Sequence, residues 1–465
     1  MATHAPQPTP PVSRIRRPRV RKDLRRLSQH ELNELRHAYE GLYAIGNAAD
    51  DRGYEWIAGR HGYPGNYCHR DEADFWIWHR AYVYEFEERL RDAQVRATHH
   101  APTVTLPYWD WTIFNPQTDA PNGIPKACND PTYVDDDGQT KPNPLFSAFS
   151  IATNAQTVRD TTALKTNIPS LKSGVEGVLG TSDFITASNQ LNFGPHGAVH
   201  VYVGGDMQSI RTSAFDPIFW LHHCNIDRLW WLWQARYGNT TVPAAQLSFV
   251  TAPFTYQGSQ TLDAERFFGY TYRARVIARE APEVRAALSA RLSPPAAGAS
   301  ATAKGAPPPP LRVDLPGAGD KAIAGSLVFQ GMAKTKESYE VRVFLNEDGP
   351  TTETSMAGNP HYAGTVWLFG HGECIGDLGH CDKPLERRDF DQRPPHHLSP
   401  HDLRMDVSAA LKSVVDPAAP LRVTMVVLDS AGRAAAAPDF GFEGLALELD
   451  DSAPSARGAP SFRFG

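Results

Sequence analysis

Histidines in two separate stretches are the residues best able to do chemistry in this chain. His196 and His200 lie four apart in PHGAVHVYVGGDM, which on a helix puts both rings on one face, one turn apart. His222 and His223 follow, heading the apolar run Ile226, Leu229, Trp230 and Trp233, whose spacing predicts a second helix. A pair from one helix and one histidine from the other can converge on a metal, and a bundle core is a normal place for such a site. Upstream, His61, His69 and His79 form another triplet in RHGYPGNYCHRDEADFWIWHRAYVYEFEERL. Phe75, His79 and Phe86 keep an apolar face there, and Asp71 and Glu72 favour a helix start. A lone HxxxH is a weak signal. Two groups of three, each ending in an aromatic-rich helix, point to two metals with three imidazoles each. Neutral imidazole suits copper, zinc and iron. Neither group contains an obvious carboxylate ligand, which argues against carboxylate-bound iron sites. A zinc hydrolase of the HExxH kind would need glutamate where Gly197 stands.

These histidines need helices to hold them. Ser28 and Glu31 form a capping-box pattern opening a helix through Leu32, Leu35, Tyr39 and Leu42. Residues 112–192, rich in Asn, Pro, Thr and Asp, read as long surface loops with short helices. From about residue 276 to 310 the composition turns to Ala, Pro, Ser and Gly, which reads as an exposed, cleavable linker with a short helix at Pro282–Arg291. Beyond it the period changes to two, as in Tyr339-Glu-Val-Arg-Val-Phe-Leu345 and Leu421-Arg-Val-Thr-Met-Val-Val427. Short alternating runs separated by turns predict a β-sandwich. The expected architecture is a mainly α-helical core, a helix bundle with long loops, followed by a C-terminal β-sandwich. Its parts are a basic Pro-rich arm (1–22), the helical domain (23–275), the linker (276–310), the sandwich (311–450) and a tail (451–465).

At 465 residues the chain can hold two or three domains with a large buried core, and its net charge of −6 gives no global pull towards nucleic acid. Five cysteines are too few for a disulfide scaffold. No apolar run approaches a membrane span. Arg16-Arg17 is followed by no apolar segment, so the N-terminus does not read as an export signal and a cytoplasmic protein is expected.

Four motifs, in order, carry a family resemblance: WHRAYVYEFE, LPYWDW, PHGAVHVYVGGDM and DPIFWLHHCNIDRLW. Together they resemble the copper-A and copper-B signatures of the tyrosinase, catechol oxidase and hemocyanin superfamily. The resemblance covers roughly residues 20–237 and is nearest to bacterial tyrosinase-type enzymes with a C-terminal covering domain. It implies two copper ions, with His61, His69 and His79 on copper A and His196, His200 and His223 on copper B. It leaves His222 as a neighbour of the site. Asp227, one helical turn after His223, could orient a ligand imidazole or pair with an arginine. By position Gly197, Val201 and Ile210 match pocket residues, and Gln190 and Asn192 stand where many relatives hold an acidic residue. Gly197 and the missing acid lean towards diphenols over monophenols. Many relatives join a cysteine two before the second ligand to that ligand; here Cys68 is directly adjacent to His69. The implied activity is oxidation of o-diphenols to o-quinones by O2, with or without hydroxylation of monophenols. The implied partners are O2 and small phenols, with homo-oligomerisation open. The rival is an O2 carrier without turnover, although no internal repeat of the tandem carrier kind is present. In relatives the β-domain covers the pocket with an inserted side chain, for which Tyr362 and Phe369 are candidates.

His371, Cys374, His380 and Cys381 form a soft ligand set within eleven residues, fit for copper(I) or zinc. An accessory copper-delivery site, a Cys374–Cys381 disulfide or structural metal, and a Gly-rich loop with unrelated thiols all remain open on sequence.

Overall fold

The computed structural model describes residues 18–68, 72–161, 163–272, 311–313, 324–373, 398–414, 421–435 and 438–450. The arm before Pro18, His69, the whole linker with its expected helix, the segment holding Cys374, His380 and Cys381, and the tail lie outside these residues.

Two long helices form the heart of the N-terminal unit. The first two long helices are α1 (Gln29–Tyr43) and α2 (Phe75–Thr98). The capping box of α1 is present, Ser28 and Glu31 each accepting from the other's backbone N–H. In α2 every residue from Phe75 to Val83 is buried. After α3 (Leu164–Gly180), α4 (Phe184–Leu191) and α5 (Gly197–Val203) comes α6 (Pro217–Tyr237), buried without a break from Pro217 to Trp230. Helices that are apolar all round belong in a core, not on a surface. Asp216 caps α6 through the Ile218 N–H, with Pro217 in the first turn where no N–H is needed. α2 packs against both α1 and α6. Phe86 of α2 stacks on Trp220 of α6 with ring centroids 3.7 Å apart. Helix α3 departs from the loop expected over 112–192. Leu164, Leu171, Val175 and Val178 make a buried stripe, and tertiary packing outweighs three glycines and Pro169.

A buried charge network closes this unit. Strand β1 (Arg19–Arg21) pairs in parallel with β2 (Tyr270–Tyr272). Arg21 donates to Glu87 and to Asp227, and Arg80 donates to the other oxygen of Asp227. All four side chains are fully buried. Two cations and two anions cancel, as buried charges must. Residues 19–21 are therefore a strand of the core, not part of an arm.

The C-terminal unit is a sandwich of seven strands among the described residues: β3 (Leu311–Val313), β4 (Ala324–Met332), β5 (Tyr339–Leu345), β6 (Tyr362–Leu368), β7 (His401–Asp406), β8 (Leu421–Asp429) and β9 (Gly444–Asp450). One sheet has the order β6-β5-β8-β3 and the other β7-β4-β9. Their inner faces share one apolar core, including Leu327, Val343, Val366, Leu403, Met425 and Leu447. A short helix, α7 (Ser408–Val414), packs on β4, β5 and β6.

The two units exchange side chains where they meet. Trp367 of β6 is buried in the helical core, against Tyr202 at 5.0 Å. Phe193 of the helical unit joins the sandwich core and stacks on His401 at 5.2 Å. A cavity of ≈ 430 Å³ remains between α3, α4 and strands β6 and β7.

Candidate metal centre

Backbone carbonyls set the histidines. His79, in the buried half of α2, places Nδ1 2.7 Å from the Phe75 oxygen one turn earlier. His196 ends a widened turn, Asn192–His196, and its Nδ1 lies 3.0 Å from the Asn192 oxygen. Such one-turn π segments are frequent at functional sites. His200, on α5, is held by the Met207 oxygen at 2.8 Å, and His61, in the loop before Pro64, by the Ile210 oxygen at 3.2 Å. The turn after α5 makes this possible. Gly204 and Gly205 take φ of +75° and +58°, and a Cβ on either would meet the backbone of Asp160 or Val158 at 2.2 and 2.1 Å.

A carbonyl can only accept, so each of these four Nδ1 atoms carries the proton and each Nε2 is left with a lone pair. The lone pairs converge. His196 Nε2 lies 3.2 Å from His200 Nε2, which lies 3.4 Å from His223 Nε2. The ring of His223 also stacks on His79 at 4.6 Å. Candidate ligand atoms fall within 4.8 Å of one another in two groups: His61, His79 and His223, and His196, His200, His222 and His223. Burial and neighbouring imidazoles hold His200, His222 and His223 well below the usual histidine range, so all three are neutral. Two Nε2 lone pairs facing each other at 3.2 Å repel unless a cation lies between them. Neutral imidazole donors suit copper, as they do zinc and iron.

Other sequence candidates fall variously. His69 lies outside the described residues, while its neighbour Cys68 is buried with Sγ 3.5 Å from His79 Nε2. His222 is nearer the centre than a flanking role requires. It is fully buried, stacks on His196 at 5.3 Å, and neither ring nitrogen has a hydrogen-bond partner. Of the two roles open to Asp227 the structure shows the pairing with arginine, and among the described residues its carboxylate bonds no imidazole. Its oxygens accept from Arg80, Arg21, Tyr270 and Tyr272. Burial would raise its pKa, but Arg80 and Arg21 hold it below the usual carboxylate range. Asn192 serves the site through its carbonyl on His196, and Gln190 accepts from Thr181. Val201 and Ile210 are buried. Gly197 meets the covering domain: a Cβ there would lie 2.9 Å from Trp367 Cβ.

The C-terminal unit reaches the centre through Phe369, just past β6. Its ring stacks on His200 at 4.3 Å and stands edge-on to His196 at 6.3 Å. Tyr362 does not take that place; its ring packs on Phe344 and its hydroxyl bonds Thr365 within the sheet. Of the soft set beyond, only His371 is described; it is buried, and its N–H donates to the Thr335 oxygen. What the sequence did not signal are the carbonyls of Met207 and Ile210. The Gly-Gly pair before them is the trace they leave in it.

Residues 51–236 match a family model described as the common central domain of tyrosinase. The central part of this chain is tyrosinase-like. A hemocyanin from Enteroctopus dofleini (G-type, units Oda to Odg) is 32% identical to this chain over 273 residues, covering 53% of it and 9% of the hemocyanin. A tyrosinase-like protein of Diaporthe leptostromiformis is 29% identical over 269 residues, covering 50% of this chain and 68% of that protein. In fold, a latent aurone synthase (polyphenol oxidase) superposes with a TM-score of 0.60 at 16% identity, covering 93% of this chain and 89% of that one. The chain spans less than a tenth of the first hemocyanins it matches. Tyrosinase-family proteins bind a pair of coppers, and the histidine clusters found here fit that donor set. Among the described residues no helix is long and apolar enough to cross a membrane.

Proposed function

We propose that this chain is a dicopper oxidase that uses O2 to convert o-diphenols to o-quinones, and that its C-terminal domain keeps it latent. Phe369 on the His200 ring carries this reading. An aromatic side chain occupying the face of a ligand imidazole stands where a phenol ring would stack. Covering that face bars a phenol from the centre, which is what latency requires.

His61, His69 and His79 would hold one copper and His196, His200 and His223 the other, and the pair when bound supplies O2 activation. The protein's share is positional. Carbonyls fix four of the imidazoles as Nε2 donors, and the buried aromatic walls exclude water. Among the described residues of the centre no carboxylate stands by to take a phenol proton. Diphenols, the more acidic and more easily oxidised substrates, are therefore the expected class, with monophenol hydroxylation the finer question.

Oxygen uptake by copper-loaded protein, with L-tyrosine and separately L-DOPA, before and after limited proteolysis, tests this. We expect little uptake from intact protein and clear uptake with L-DOPA once cleavage is followed by separation of the two units. Uptake with both substrates would make the chain a tyrosinase despite Gly197. Silence on both after cleavage and separation, with two coppers bound, would favour the O2-binding reading that hemocyanin relatives at 32% identity support.

A further inference from the structure

We propose that the C-terminal domain also fixes one imidazole of each histidine group through the segment 207–210, so that domain docking and copper binding strengthen each other. The inference rests on the copper reading above.

The four carbonyl-held histidines are not held alike. His79 and His196 bond to the residue four earlier, within their own turn. His200 and His61 bond instead to Met207 and Ile210, in one short irregular segment. Its ends are anchored to the helical unit. Asp206 N–H donates to the Val158 oxygen, and the Thr212 hydroxyl to the Asp206 oxygen. Its middle is held from the sandwich. The Ser338 hydroxyl, just before β5, donates to the Gln208 oxygen at 2.7 Å and accepts from the Gly370 N–H at 2.8 Å. Ile210 N–H donates to the Gly370 oxygen at 3.2 Å, and Ser209 pairs with Gly370 as a parallel bridge. Ser338 is buried, with both bonding directions used. The residue that follows Phe369 thus grips the strap on which two ligand histidines depend. Undocking the domain would withdraw Phe369 and, in the same motion, loosen one imidazole on each copper.

Partners that orient metal-bound histidines typically change metal affinity by about 10- to 100-fold when removed. Ser338 acts one bond further away, so a smaller effect follows. In the full-length chain, Ser338→Ala should weaken copper binding by about 3- to 10-fold. The measurement is equilibrium competition against a graded copper chelator, where access to the site does not enter. Linkage supplies a second test in the unaltered protein. Copper should slow hydrogen exchange at the Ile210 amide, since the copper-bound state favours the docked one. Equal copper affinity in wild type and Ser338→Ala, with two coppers bound to each, would overturn the coupling while leaving the copper reading intact. Ile210 exchange indifferent to copper would overturn it too. A wild-type chain that binds no copper would sink the copper reading and the coupling with it.

Discussion

His223 occupies the most exacting position in the centre, because its ring belongs to both histidine groups. It stacks on His79 and brings Nε2 within 3.4 Å of His200. His222 lies parallel to His196, with both ring nitrogens buried and without hydrogen-bond partners. Two adjacent helix residues point about 100° apart, so the pair cannot serve one copper from the same direction. If His223 is the ligand, His223→Ala should drop copper content from two per chain towards one, while His222→Ala keeps both. Metal analysis after gel filtration decides between them, and the reverse pattern would hand the ligand role to His222. At this scale the histidines were legible because ligands must be side chains at fixed spacing. Their carbonyl partners were not, because every residue carries a carbonyl and only the folded turn says which one faces a ring. Asp227 was left between two roles for a related reason. Helical spacing put it one turn from His223, but it could not foresee that Arg21, from the far end of the unit, would reach the same buried spot.

Strand β6 and helix α5 meet at a glycine, and that contact gives Gly197 a meaning that its place beside His196 does not suggest. A Cβ at 197 would sit 2.9 Å from Trp367 Cβ and 3.4 Å from the Trp367 oxygen. Neither atom lies at the end of a flexible side chain, so neither can swing aside. Glycine is therefore required by the docked domain, whatever it does for substrate. Overpacking of this kind costs about 1–3 kcal/mol, or about 5- to 150-fold in the docking equilibrium. Gly197→Asn in the full-length chain should then raise L-DOPA turnover without proteolysis, and should add little once the chain has been cleaved and its units separated. A folded, copper-loaded Gly197→Asn protein as slow as wild type would show that this contact does not govern docking. Strand alternation and the capped helices were legible at this scale, since burial on one face imposes a period. Helix α3 was not, because Pro169 and its glycines argued against a stripe that only the neighbouring helices make worthwhile.

The whole molecule is held by more than its linker. Trp367 lies in the helical core and Phe193 in the sandwich core, so each unit fills a place in the other. The strap 207–210 adds backbone and hydroxyl hydrogen bonds across the same boundary. Cutting the chain near Ala296–Pro310 removes only the high effective concentration that a tether provides. The cut halves should therefore stay together and stay slow at micromolar concentration. Turnover of L-DOPA should rise, by about tenfold or more, only when dilution or mild denaturant separates them, the tether having contributed millimolar effective concentration. Size-exclusion elution and oxygen uptake, followed on the same samples, test the order of events. Full speed while the halves still co-elute would mean that Phe369 leaves His200 without undocking. A separated helical unit that keeps its coppers and is no faster than the intact chain would end the latency reading altogether, because nothing else among the described contacts would then be holding the enzyme back.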